Sequence, residues 1–121
     1  MSEEPQNLRI RVMDFSLAVI RFFRLLDAYH DNISSILGKQ LLKSATSIGA
    51  NIEEAQAAES RADFIHKYGI AQKEARETLY WLQLIQKADC IQEKEINPLL
   101  QEVNELISII TIIIVNTKKR S

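Results

Sequence analysis

Apolar residues recur along the chain in four runs at alternating steps of three and four. Val12, Phe15, Val19, Phe22, Leu26 and Tyr29 form the first run, and Leu41, Ala45, Ile48, Ile52 and Ala55 the second. Phe64, Tyr68, Ala71, Ala75, Leu82 and Ile85, with Thr78 in register, form the third; Leu99, Val103, Leu106, Ile110 and Ile113 form the fourth. Such steps put each set on one face of an α-helix, and they predict helices over about 8–30, 33–57, 61–88 and 93–117.

The breaks between runs have local causes. His30-Asp31-Asn32 is a polar interruption, with Asn32 or Ser34 available to cap the second helix. Ser60 followed by Asp63 reads as a short capping box for the third. Ala88-Asp89-Cys90-Ile91-Gln92 ends that helix without a glycine. Pro98 leaves two solutions: a start at Asn97-Pro98, or a start near Glu93 with a mild bend at the proline. Glu93 and Glu95 suit a helix N-terminus and favour the earlier start. Helices of roughly 20–26 residues span about 30–39 Å, and linkers of a few residues force consecutive helices antiparallel. The expected fold is all-α: an antiparallel up-down-up-down four-helix bundle, one domain over residues 1–121.

Composition narrows the picture further. Three glycines and two prolines in 121 residues leave little room for the tight turns of a sandwich or barrel, where an average chain carries roughly 12% of the two together. Fifteen Lys+Arg against sixteen Asp+Glu give a net charge of −1, which excludes a strongly cationic nucleic-acid binder but leaves room for a local basic face. Cys90 is the only cysteine, so there is no internal disulfide and no cysteine-based zinc site. Met-Ser-Glu-Glu-Pro-Gln at the start is acidic and lacks an apolar run, unlike a signal or transit peptide. A cytoplasmic setting is expected.

Two stretches exceed what a bundle needs. Ser44, Ala45, Ser47, Gly49 and Ala50 make part of the second helix thin, and Gly38, Gly49 and Gly69 point to close packing, because a helical glycine costs about 1 kcal/mol relative to alanine. Leu106 through Val115 is apolar nearly all round. That run is shorter than the roughly 20 residues a bilayer requires, and a lone bundle helix cannot bury every side of it. A partner subunit, rather than a membrane, is the expected cover. Ile107, Ile109, Ile112 and Ile114, together with Trp81, would join protomers around a closed ring.

Candidate chemistry is sparse. Asn51, Glu54, Glu74 and Glu77 lie nearest the apolar stripes. A di-metal carboxylate site would need Glu-x-x-His pairs, but neither His30 nor His66 follows a glutamate at that spacing. These four are therefore expected to form a structural polar network that fixes helix register or subunit contacts, with no cofactor. Ser44 and Ser47 lack a base at useful spacing, and no glycine-rich phosphate loop occurs. Arg9, Arg11, Arg21 and Arg24 on the first helix, and Lys118, Lys119 and Arg120 at the end, could track phosphates. Against that stands a solvated surface with intrahelical pairs such as Asp63 and Lys67.

The run Lys39-Gln40-Leu41-Leu42-Lys43-Ser44-Ala45-Thr46-Ser47-Ile48-Gly49-Ala50-Asn51-Ile52-Glu53-Glu54-Ala55 resembles the second-helix signature of the four-helix-bundle proteins encoded within 23S rRNA intervening sequences. Ala62-Asp63-Phe64-Ile65 and Ile70 through Leu82 resemble that family's third helix, and Glu105-Leu106 with the isoleucine-rich tail its fourth. The resemblance implies a left-handed bundle assembled as a bacterial homopentamer with no established catalytic activity. Distant relatives serve as accessory proteins of diversity-generating retroelements, where a pentameric barrel contacts a reverse transcriptase and nucleic acid. The expected function is a non-enzymatic homo-oligomeric scaffold or adaptor; the alternative is an accessory protein that binds nucleic acid or a nucleic-acid enzyme.

Overall fold

The computed structural model describes residues 8–29 and 31–120. Within them lie four helices, α1 (Leu8–Asp27), α2 (Asn32–Gln56), α3 (Arg61–Lys87) and α4 (Glu93–Lys119). The acidic leader and His30 fall outside the described residues. Every residue of the four predicted stripes is buried in one core, except Tyr29. Tyr29 is 58% exposed, because α1 stops at Asp27 and the chain has left the helix before reaching it.

Each helix packs on its neighbours in the chain, and α4 closes back on α1; the diagonal pairs α1–α3 and α2–α4 bring no two α-carbons within 8 Å. Cross-helix pairs run in opposite sequence order. Lys67 meets Glu54 while Thr78 meets Ser44, and Gln72 meets Thr111 while Gln86 meets Asn97. Neighbouring helices are thus antiparallel. Phe64 and Tyr68, one turn apart, stack in the core with ring centroids 4.6 Å apart. Each such fully buried side chain contributes about 1.5–3 kcal/mol.

The thin stretch of α2 does what its small side chains permit. A Cβ on Gly38 would stand 2.8 Å from Phe23 Cδ1, and one on Gly49 would stand 3.1 Å from Val12 Cγ1. Both glycines let α1 lie close against α2. Gly69 is different: a Cβ there would meet nothing within 4 Å, so packing within the protomer does not require it.

The helix ends refine the sequence expectations. Asp31, rather than Asn32 or Ser34, caps α2: its carboxylate accepts from the Ile33 and Ser34 amides at 3.3 and 3.4 Å and from the Ser34 hydroxyl at 3.0 Å. Ser60 caps α3 as expected, accepting from the Asp63 amide at 3.0 Å. The short Asp63 side chain returns the bond to the Glu59 amide, at 3.3 Å, instead of to the cap itself. The end of α3 is a Schellman turn. Cys90 N–H donates to Ile85 O and Asp89 N–H to Gln86 O, with Asp89 in the left-handed region at φ 58°. Helix α4 starts at Glu93, the earlier of the two solutions, and carries Pro98 in its second turn.

Helix α4 is long and apolar enough to cross a membrane, with a mean hydropathy of 1.6 over its most apolar window. In the fold it is a bundle helix. Ile96, Val103, Leu106, Ile110 and Ile113 are sealed in the core, and Glu102 and Glu105 bind Arg11 of α1.

The left-handed residue yields a test. Asp89→Gly removes the steric cost of a side chain at positive φ and should raise stability by about 0.5–1 kcal/mol, read from urea unfolding. A variant less stable than the parent would contradict the assignment.

Candidate functional site

Among the described residues, four ion pairs join neighbouring helices. The seam between α1 and α4 is the least packed of the four, and Arg11 spans it. Its Nε and Nη2 donate to the two Glu102 oxygens at 2.9 and 2.6 Å, and Nη2 also reaches Glu105 at 3.0 Å. Hydrogen bonds from the guanidinium to Glu102 and then Glu105 hold Arg11 more firmly protonated than a free arginine. Arg9 makes a matching two-pronged contact with Glu53 of α2, at 2.9 and 2.8 Å, and the bond from Arg9 holds the Glu53 carboxyl below its ordinary 4.5. Lys67 reaches Glu54 of α2 at 2.9 Å, and that bond raises the lysine above its ordinary 10.5. The interhelical bond to Glu54 outweighs the expected intrahelical pairing with Asp63, which adds a weaker coulombic pull on the same lysine.

The cationic residues do not form one face. Arg9 and Arg11 are engaged by carboxylates. Arg21 and Arg24 sit exposed toward the far end of α1, where Arg21 shares a shallow cleft with Glu95 and Pro98. Lys118, Lys119 and Arg120 close α4 at the opposite end of the bundle, suiting the helix dipole.

The four residues of the expected polar network do not bond to one another, but Glu54 makes a register-fixing ion pair from α2 to α3. Asn51 donates to its own helix at Ser47 O, 2.8 Å away, and Glu54 binds Lys67. Glu77 accepts from the Trp81 indole N–H at 3.1 Å. The Glu74 carbonyl accepts from Thr78 at 2.8 Å. None of these bonds joins two of the four residues. The buried polar contact lies instead between Ser44 and Thr78, both fully buried, with oxygens 2.9 Å apart across α2 and α3. Ser44 also reaches Leu41 O at 3.2 Å. The sequence presents Ser44 as a small residue and a hydroxyl without a base, and Thr78 as a member of the stripe. The available signal was a hydroxyl at a core position on each of two adjacent helices.

The apolar candidates divide in three. Ile112 is 57% exposed. Trp81, Ile107 and Ile109 are half-buried against the protomer's own core. Ile114 is only 8% exposed and belongs to the inner face. It lies four residues after Ile110, so α4's inner stripe turns through it, and its assignment to the outer surface is corrected. Sequence reading missed a second outer stripe on α1. Ile10, Met13 and Leu17 are 65, 59 and 45% exposed, at steps of three and four opposite the buried register. That periodicity was present in the chain, masked by the stronger inner one.

Two concavities among the described residues bear on a site. An open depression of about 400 Å³ lies between the two interhelical turns at one end, lined by Tyr29, Asp31, Ser34, Asp89, Cys90 and Gln92. Its best acceptor, Asp31, is committed to capping α2. A smaller apolar groove of about 240 Å³ runs between α1 and α2 beside Gly49. His66 is exposed on α3. Among the described residues no three His, Cys, Asp or Glu side chains converge as a metal ion requires.

Residues 8–112 match the model of the 23S rRNA-intervening sequence protein family. A solved structure similar to this chain is that of a protein with unknown function from the S23 ribosomal protein family of Bacteroides thetaiotaomicron. The two are 35% identical over 88% of this chain and 97% of that one, with a TM-score of 0.81. No curated protein matches the chain.

Two outcomes test these contacts. Thr78→Val alone should cost about 1 kcal/mol, and a cycle with Ser44→Ala should show coupling of similar size; strictly additive losses would contradict the shared bond. Glu53, with its value depressed, contributes stability that is present above pH 4.5 and lost as pH falls through the folded value. Lys67, with its value raised, contributes stability present below pH 10.5 and lost as pH rises through the folded value. Arg9→Gln should therefore flatten the acid limb of melting temperature against pH and leave the alkaline limb alone. An unchanged acid limb would contradict the pairing.

Proposed function

The chain belongs to the 23S rRNA-intervening sequence protein family, and from that premise we propose that it is a non-enzymatic cytoplasmic scaffold that works as a ring of five copies. The coarse part of this reading follows the relatives, to which no activity is assigned. The observation that carries the finer part is surplus apolar surface. Ile10, Met13 and Leu17 on α1, and Ile112 and Val115 on α4, stand exposed after the core is complete. Contiguous exposed apolar stripes mark surfaces that meet a partner, and a second copy is the partner always present. The number five rests on the family resemblance.

The charge arrangement supports the same reading. Arg9 and Arg11, two of the seven sequence candidates for phosphate contact, are held by Glu53, Glu102 and Glu105, and displacing those carboxylates would loosen the bundle.

Light scattering on the chromatographed protein at tens of micromolar should give about five times the 13.9 kDa protomer mass. A smaller multiple would overturn the number, and a mass of 13.9 kDa would overturn the assembly.

A further inference from the structure

We infer that the outer face of α3 binds single-stranded nucleic acid, with Lys73, Arg76 and Lys87 on phosphates and Tyr80 against a base. The site is distinct from the surfaces that carry the homo-oligomeric reading, which lie on α1 and α4.

Opposite its buried register, α3 carries a second periodicity. His66, Gly69, Lys73, Arg76 and Tyr80 recur at steps of three and four, and Lys87 stands two turns further on. All of them except the half-buried Gly69 are exposed. The cations of α1 and of the chain end are scattered, but these three share one stripe, and no carboxylate stands on it. The acids of the helix, Asp63, Glu74 and Glu77, fall in register with Lys67 instead, on the edge that faces Glu54 of α2. On the opposite edge, Gln72 and Gln86 reach Thr111 and Asn97 of α4 without introducing charge.

Two features of the stripe disfavour the free helix and serve nothing else in the protomer. Lys73 and Arg76 are like charges one turn apart, an unfavourable spacing, and no carboxylate among the described residues pairs with either. Glu77, one turn from Lys73, accepts from the Trp81 indole instead. Gly69 weakens the helix, although a Cβ there would meet nothing within 4 Å. An anionic strand lying along the stripe accounts for both. Its phosphates meet the unpaired cations, and the glycine lets its backbone come close.

Tyr80 narrows the choice of anion. It is 55% exposed and braced by Trp81, with ring centroids 5.1 Å apart at 72°, while Trp81 is itself fixed by its bond to Glu77. A held, exposed aromatic beside cations is a platform on which an unpaired base stacks. A lipid surface needs apolar side chains to insert, and a partner helix needs an apolar seam. The stripe supplies no aliphatic side chain for either. Lys73 to Lys87 covers about 21 Å of helix, a length that a few nucleotides of extended strand can span.

Fluorescence anisotropy with a labelled single-stranded RNA of about eight nucleotides, enough to cover the stripe, tests the site. Contacts from three cations predict that affinity falls about twentyfold between about 50 and about 200 mM salt. Lys73→Glu with Arg76→Glu should weaken binding by more than about tenfold. Arg21→Glu with Arg24→Glu, which reverses the same charge on α1, should leave it unchanged. Tyr80→Ala should weaken binding about tenfold and keep the salt dependence. Gly69→Leu should raise the melting temperature, because its Cβ meets nothing in the protomer, yet lower the affinity. The inference is overturned by no binding at the lower salt, by binding indifferent to salt, or by equal losses from the two charge reversals. It is equally overturned if Gly69→Leu or Tyr80→Ala binds like the parent, or if a duplex of the same length binds more tightly. Polyglutamate or phosphatidylserine vesicles binding as well as the RNA would overturn it too.

Discussion

A helix in a four-membered bundle can give the core only one stripe of its circumference, and the rest of the structure depends on that limit. The inner registers of all four helices satisfy it, from Val12 to Leu26 on α1 and from Ile96 to Thr117 on α4. They close one continuous apolar core. Helices α1 and α4 carry more apolar surface than this closure can use. Their excess, Ile10, Met13 and Leu17 on one and Ile112 and Val115 on the other, remains in water. Exposure of these residues cannot be relieved by repacking the protomer, because rotating either helix to bury them would expose the inner register.

Small residues and ion pairs adjust the bundle around that core. Gly38 and Gly49 bring α1 close to α2, while the sparser seam between α1 and α4 is bridged by Arg11 gripping Glu102 and Glu105. Exposed pairs such as Arg9–Glu53 are worth at most a fraction of a kcal/mol to about one. They also occupy two of the seven cations on α1 and at the chain end that could face a phosphate backbone, Arg9 and Arg11. The described surface carries apolar stripes on α1 and α4 beside interhelical ion pairs.

The bundle was legible in the sequence because helix periodicity is a property of single segments. Four registers, the Ser60 cap and the early start of α4 could each be read without knowing what lay opposite. What could not be read was set by partners distant in the chain. Arg11 looked like a phosphate contact until Glu102 and Glu105, more than ninety residues away, were placed beside it. Ser44 and Thr78 could be paired only once the register of α2 on α3 was known. Ile114 was misplaced because the isoleucine run offers apolar residues at every angle, and only the position of α4 on its neighbours decides which point inward. Asp31 was passed over for its neighbours as a cap by a one-residue error in the helix start, the ordinary resolution of such boundaries.

If surplus apolar surface on a closed protomer drives copies together, as proposed, the thermal midpoint must depend on protein concentration. Assembly of folded protomers stabilises them by mass action. The midpoint should therefore rise steadily over a hundredfold increase in concentration, and Ile112→Asp should flatten that rise while the dilute-limit midpoint stays where it was. A midpoint independent of concentration in the parent protein would contradict the claim.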